Sequence, residues 1–381
     1  MDADRQVAVA ANAIATPTLS DVTVVPPVPQ QTFSYTLYDP EYAAPEFGLN
    51  NTGAICWWNA LMQVFFGLSA FNKKIRKLAD NLADNNVATA YINIADALLP
   101  NSGEYEPINP IQFSGSSQTI LHAVLRELAA MNAGNPVGNM GNSLGLGQQC
   151  ADEGYTTFLD MMKSAELDDL FNNVYEQIII CTRCNEQVSS NRDKSNRIYI
   201  PPTKNFPSEA AYQAWRSTNV AGLPFSHPNR HVIRNFTSAS EFKNWLCNHV
   251  ALALDYKCPK CSHVMAKVAR GEKLKALREI IAIKFDRINA IDTTWFPPQL
   301  EFGSTDGKTL TYEVVGKICW SGNISANGQS GGHYWAVSRR PVNGSQTVHS
   351  WHTFNDNSVS SGHNRPEQSV YMVFYHLMRN E

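Results

Sequence analysis

Two Cys-x-x-Cys pairs, Cys181/Cys184 and Cys258/Cys261, constrain this chain more than any other feature. Two intervening residues let both thiolates of a knuckle face one ion, and two knuckles complete a tetrahedral four-sulfur shell. Segments far apart in sequence must then meet, with the stretch between them looping out. Four thiolates close the coordination sphere, so the zinc expected there is structural rather than catalytic. The other four of the eight cysteines, Cys56, Cys150, Cys247 and Cys319, are scattered singly. A secreted disulfide framework would be denser and shorter, so the pattern suits a reducing compartment.

With 381 residues and 43% hydrophobic content, the chain can bury a sizeable core. A net charge of -3 gives no electrostatic case for nucleic acid as a partner. No apolar stretch reaches the roughly 20 residues that span a bilayer. Met1 to Val9 mixes Asp, Arg and Ala and lacks the apolar centre of a secretory signal. A soluble intracellular protein, cytoplasmic or nuclear, with no membrane partner is expected. Residues 1–45 contain Pro26, Pro27 and Pro29 and hold no sustained period, which predicts a flexible tail.

Beyond that tail the first part of the chain reads as helical. Trp57, Leu61, Val64, Phe65 and Leu68 fall on one helical face after Cys56. Ile75 to Leu99, Ile120 to Met131 and Asp152 to Leu170 also read as helical, with a Gly- and Asn-rich loop from Asn132 to Gly147. From Ile178 the character changes to strands: Ile178 to Ile180, Ile280 to Phe285, Tyr312 to Cys319, Tyr334 to Ser338 and Tyr371 to His376. A polar, aromatic-containing insert, about Pro201 to Ser240, precedes a further helix predicted over Ser240 to Leu254. Helices first and strands later predict an α+β fold.

Cys56 opens the first helix, where unpaired N–H groups carry partial positive charge and favour a thiolate. The residues alone leave it either a core cysteine or a nucleophile. An amide side chain in the polar turn before it, Asn50 to Ile55, can point at the atom Cys56 attacks. Among the ten histidines, His333 follows Gly331 and Gly332 at the mouth of a predicted strand, where small residues let a substrate backbone approach. It reads equally as a surface residue beside a glycine turn. Polar groups in Trp351 to Asp356 are available to orient an imidazole.

Taken in order, these segments resemble the ubiquitin-specific protease family. The run from Gly48 to Gln63, Gly-Leu-Asn-Asn-Thr-Gly-Ala-Ile-Cys-Trp-Trp-Asn-Ala-Leu-Met-Gln, is similar to its cysteine box. Gln149-Cys150-Ala151-Asp152-Glu153 resembles its Gln-Asp-Ala-x-Glu segment. Gly332-His333-Tyr334, Trp351 to Asp356 and Tyr371 to Tyr375 resemble its histidine box and last strand. The cysteine pairs fall where the family places its finger zinc.

The resemblance implies a papain-like fold of thumb, palm and fingers, with a catalytic domain over 46–381. It assigns 46–170 to a helical thumb, 171–285 to fingers with the zinc site, and 286–381 to a β-rich palm. It implies hydrolysis of the isopeptide or peptide bond after the C-terminal Gly-Gly of ubiquitin or a ubiquitin-like modifier. Ubiquitin and ubiquitinated proteins are the partners implied. Cys56 is then the nucleophile, His333 its base, Asn355 the group orienting His333, Asp356 an adjacent acid supporting the same work, and Asn51 the oxyanion donor. Gly332, Tyr334 and Glu153 are implied substrate contacts.

The sequence departs from the family at Ile55, Trp57 and Cys150, where Thr, Tyr and Asp are usual. With Cys150 there, Glu153, with Asp152 beside it, is left to receive a basic substrate tail. Two other functions fit the same residues: a catalytically weak or inactive binding module, and a protease cutting Gly-Gly sites in another protein.

Overall fold

The structure is a computed structural model. It describes residues 36–98, 117–131, 149–181, 183–184, 186–220, 232–252, 256–265, 269–286, 295–304, 306–324, 330–342, 345–361 and 369–380. The Gly- and Asn-rich loop expected over 132–147 and the first 35 residues of the expected tail lie outside them. Residues 36–45 are packed against the body: Tyr38 N–H donates to the Leu377 carbonyl at 2.9 Å, and Ala43 and Ala44 are buried.

The helices are α1 (Cys56–Gly67), α2 (Ser69–Lys77), α3 (Asn86–Leu98), α4 (Gln118–Met131), α5 (Ala151–Met162), α6 (Ala165–Asp168), α7 (Glu209–Asn219) and α8 (Ala239–Cys247). Every residue of α1 is buried, as a helix apolar on all sides must be. It lies across the sheet, under α5. Its aromatic residues pack with those of its neighbours: Trp58 and Phe65 each meet Phe158 edge to face, at 5.8 and 4.8 Å between ring centroids.

The strands run from β1 (Asn173–Ile180), β2 (Gln187–Ser195), β3 (Ile198–Ile200), β4 (Thr203–Lys204) and β5 (Ile233–Arg234) to β6 (Asn248–Leu252). They continue with β7 (Tyr256–Lys257), β8 (Val264–Met265), β9 (Ala269–Ala276), β10 (Ile280–Phe285) and β11 (Gln299–Gly303). The last five are β12 (Thr309–Ile324), β13 (Ser330–Val342), β14 (Ser345–Asn355), β15 (Ser358–Ser361) and β16 (Val370–Asn380).

The main sheet has the order β15-β14-β13-β12-β16-β10-β3, with β11 also on β12. Both faces are covered, and the period of two sorts its residues. Met372 and Phe374 join the core under α1, whereas Val373 and Tyr375 join a second core formed with Phe242 and Leu246 of α8. A separate four-stranded sheet, β2-β1-β9-β6, carries the Cys181/Cys184 knuckle between β1 and β2, and the two-stranded β7-β8 sheet carries the Cys258/Cys261 knuckle.

Several elements differ from the sequence-based expectation. The helix expected over Ser240–Leu254 stops at Cys247, because Asn248–Leu252 pairs antiparallel with β9. The polar insert contains α7, whose N-cap Ser208 accepts from Ala211 N–H at 3.1 Å. The Asp152–Leu170 helix breaks at Lys163, which adopts a left-handed φ of 49°. The Ile75–Leu99 helix is interrupted where Asn85 caps α3, accepting from Val87 and Ala88 N–H at 3.0 Å each. β3 and β10, from the stretch assigned to fingers, belong to the main sheet.

Candidate active site

The turn before α1 is built by Asn51. Its Oδ1 accepts from Gly53 N–H at 3.1 Å and Ile55 N–H at 3.3 Å, bending the chain back on itself. Gly53 and Ala54 take φ of 134° and 48°. Glycine tolerates this; the alanine holds a strained left-handed conformation immediately ahead of the helix. The turn delivers Cys56 as the first residue of α1, with the thiol 4% exposed at residue level.

That thiol lies against the backbone N–H groups of Tyr334 and Trp57. Burial pushes its pKa up, and the Asp356 carboxylate pushes it further in the same direction. The N–H groups pull it back only partly. The helix start was expected to favour thiolate; burial wins instead, so Cys56 rests as a thiol and needs a base.

His333 stands at the first turn-proximal end of β13, opposite Ser321 of β12. Its Nε2 lies 2.5 Å from Asn355 Oδ1. An amide oxygen accepts, so Nε2 carries the proton and Nδ1 presents its lone pair. The ring is held parallel to Trp335, 6.4 Å between centroids. His333 and Asn355 are thus brought together, while the contacts of Asp356 lie elsewhere. Its carboxylate accepts from Asn51 Nδ2 at 3.0 Å and from Asn59 Nδ2 at 2.8 Å. These bonds tie it to the turn and to α1.

Asp356 itself has a φ of 52°, and its carbonyl accepts from Leu49 N–H at 2.9 Å. Beside it, a Cβ on Gly48 would fall 2.4 Å from the Asn357 carbonyl oxygen. The cysteine-bearing segment and the β14–β15 hairpin therefore touch backbone to backbone.

The expected substrate contacts divide. A Cβ on Gly332 would sit 2.4 Å from Trp320 Nε1, so this glycine admits a tryptophan rather than open space. Tyr334 is buried, its hydroxyl taking the Ala151 N–H and its ring edge-on to Tyr371 at 5.6 Å. It forms a wall joining Cys56 to the start of α5. Glu153 is exposed in the first turn of α5.

Asp152 is buried and engaged by Arg197 at 2.9 Å, Lys284 at 3.3 Å and the Tyr199 hydroxyl at 3.2 Å. It is not free to receive a basic tail. Cys150 Sγ lies 2.7 Å from the Tyr371 hydroxyl.

Sequence reasoning assigned no role to Asn59 or Tyr371. Asn59 stands one helical turn after Cys56, a spacing that marks a shared face. No sequence signal points to Tyr371.

At the far end of the four-stranded sheet, the sulfurs of Cys181, Cys184, Cys258 and Cys261 lie within 4.8 Å of one another. Cys181–Cys261 and Cys184–Cys258 are 3.6 and 3.8 Å apart. Zn–S bonds of about 2.3 Å in a tetrahedron place sulfurs about 3.8 Å apart. Disulfides need about 2.05 Å. The left-handed Ser262, φ 55°, closes the second knuckle, with Cys258 N–H donating to His263 carbonyl at 2.9 Å. The four residues fit structural zinc.

Residues 47–375 match the family described as ubiquitin carboxyl-terminal hydrolase. No curated protein sequence matches the chain. Among solved structures, one similar chain belongs to a SAGA DUB module, Ubp8/Sgf11/Sus1/Sgf73, bound to monoubiquitin (TM-score 0.54, 15% identity, 92% of this chain and 72% of that one). The same module bound to ubiquitin aldehyde gives 0.54 and 16%, with the same coverage. The pseudoubiquitin-hydrolase-RNase module of PAN2 from Saccharomyces cerevisiae gives 0.54 and 12%, over 92% of this chain and 56% of that one. At such identities the likeness carries the papain-like fold alone.

Proposed function

Because the chain belongs to the ubiquitin carboxyl-terminal hydrolase family, we propose that it is a thiol-dependent deubiquitinase, cutting after the C-terminal Gly-Gly of ubiquitin or a ubiquitin-like modifier. The observation that carries this is the His333–Asn355 contact, with the buried Cys56 thiol against the backbone N–H of Tyr334, the residue after His333.

With Nε2–H committed to Asn355, His333 Nδ1 takes the Cys56 proton as Sγ attacks the Gly carbonyl carbon. Asn51 Nδ2 keeps one N–H on Asp356, which leaves its second for the oxyanion. The imidazolium returns its proton to the leaving amine. His333 then draws a proton from water, which hydrolyses the thioester and frees Cys56. Asn355 orients the ring as a neutral amide can, though it steadies imidazolium less than a carboxylate does.

Zinc, held by Cys181, Cys184, Cys258 and Cys261, would cross-link the β1–β2 and β7–β8 turns with no coordination position left for chemistry. In this reading 46–170 serves as thumb, 171–285 apart from β3 and β10 as fingers, and 286–381 with those two strands as palm.

One observation favours a narrower second reading. Cys150 carries no carboxylate and Asp152 is already ion-paired, so among the described residues at the start of α5 Glu153 is left to meet a basic tail. A ubiquitin-like modifier, or another protein with a Gly-Gly site and a less basic approach, fits that wall better than a strongly basic tail does.

The test uses ubiquitin and ubiquitin-like proteins carrying a C-terminal electrophile, under reducing conditions, with Cys56→Ala as control. An adduct with ubiquitin supports the first reading. An adduct confined to another modifier supports the second. No adduct with any of them makes the chain a non-catalytic module.

A further inference from the structure

Arg340 is completely buried, at 0% exposure, on β13, the strand that carries His333. A guanidinium removed from water is costly unless a carboxylate answers it. Among the described residues none does. The titratable groups acting on it are the phenols of Tyr38 and Tyr91. Glu46, which acts on His352 as Arg340 does, is held by His352 Nδ1 at 2.7 Å. Among the described residues, Arg340 Nε and Nη1 find no acceptor. Simple stability does not explain an arginine here, because an apolar side chain of similar volume is often as stable or more so.

What the side chain does touch is informative. Its Nη2 donates to Gln63 twice, to the backbone carbonyl and to Oε1 at 3.0 Å. Gln63 lies on α1, two turns beyond Cys56, and its Nε2 donates onward to the Phe47 carbonyl at 2.7 Å. Phe47 leads into Gly48 and Leu49, the pair packed on the Asp356–Asn357 turn. The guanidinium also lies over the Phe354 ring, 4.9 Å from its centroid, next to Asn355. Gly67, the last residue of α1, makes room for it: a Cβ there would collide with Nη1. One buried side chain thus joins the four segments that bear Cys56, His333, Asn355 and the Asp356 support of Asn51.

We propose that Arg340 is a positioning residue that locks α1, β13 and β14 in register through Gln63 and Phe354, and so holds Cys56 in line with His333. It rests on the reading of Cys56 and His333 as nucleophile and base. Arg340 lies on the α1 face of β13 with Tyr334, Ala336 and Ser338, while His333 alternates to the other face. Arg340 therefore acts through the strand and helix, without touching the imidazole. Lysine is a poor substitute, because a single ammonium cannot span Gln63 and stack on Phe354 at once.

The experiment measures three things on wild type, Arg340→Met, Arg340→Lys and Gln63→Met: denaturation midpoint, kcat and KM on a ubiquitin–fluorophore conjugate, and the pH profile of Cys56 alkylation. Arg340→Met is expected to keep its denaturation midpoint. Its kcat should fall on the order of 10- to 100-fold, the typical effect of an ångström of misplacement, with little change in KM. Its alkylation profile should approach that of His333→Ala. Gln63→Met should show the same loss, and the double variant no additional one. If Arg340→Met fails to fold, Arg340→Lys decides.

Wild-type kcat and alkylation profile in whichever of these variants folds would overturn the proposal. A wild type that alkylates no differently from His333→Ala would overturn the nucleophile–base reading, and this one with it. The two failures are therefore distinguishable.

Discussion

His376 is fully buried, and its Nε2 accepts from Ala70 N–H at 3.1 Å at the start of α2. Nδ1 donates to the Leu377 carbonyl, at 3.0 Å. Protonating it would place a cation without water against the positive end of a helix. Burial accordingly lowers its pKa from 6.5 to about 4. The sign follows from the two values. Between pH 6.5 and about 4 the unfolded chain binds a proton that the folded chain refuses. The contribution is complete above pH 6.5 and is lost as the pH falls toward 4.

At about 1.4 kcal/mol per pH unit, the full loss is about 3 kcal/mol, and about 2 kcal/mol has gone by pH 5. His376→Gln supplies an uncharged acceptor for Ala70 N–H and removes the titration. Urea denaturation of both proteins at pH 7.5 and pH 5 isolates the effect, since the other titrating groups cancel in the difference. Wild type should lose about 2 kcal/mol more than His376→Gln between the two pH values. An equal loss in both would refute the reasoning.

Four other outcomes are expected. Gly154→Ala places a Cβ 2.5 Å from Trp57 Cζ3 and should cost about 1–3 kcal/mol by denaturation, largely recovered when combined with Trp57→Phe. Asp356→Ala frees the Asn51 amide and removes a charge that raises the Cys56 pKa. Its kcat should fall while the Cys56 alkylation profile moves to lower pH, whereas Asn355→Asp should keep or raise kcat. Bound metal measured in purified protein should be zinc, and Cys258→Ser should lose it together with thermal stability.

The parts of this architecture legible in sequence are those written in local pattern. α1 was legible because an apolar helical face follows Cys56, and the sulfur cluster because its pairs have a fixed spacing. The closeness of His333 and Asn355 came only from the order of the family-like segments, since no periodicity reports a contact between two strands. β14 was not foreseen as a strand: Ser345–Asn355 is polar, and β13 and β15 supply its pairing. β6 competed with a helix and won by pairing with β9. The partners of Asp356 were not legible, because Asn51 and Asn59 arrive from the other end of the chain. The Trp57 departure is explained by Gly154, whose missing side chain leaves the space that the indole fills.

The contact of Gly48 with Asn357 has a further consequence. Where two elements meet through side chains, their separation has soft coordinates: rotamers can turn and bulk can drift. Here peptide meets peptide, and the gap is a fixed length set by van der Waals radii. Such a contact behaves as a ruler between the thiol-bearing turn and the hairpin after Asn355. What sets that length is the missing side chain of Gly48, since a Cβ there would fall 2.4 Å from the Asn357 carbonyl oxygen.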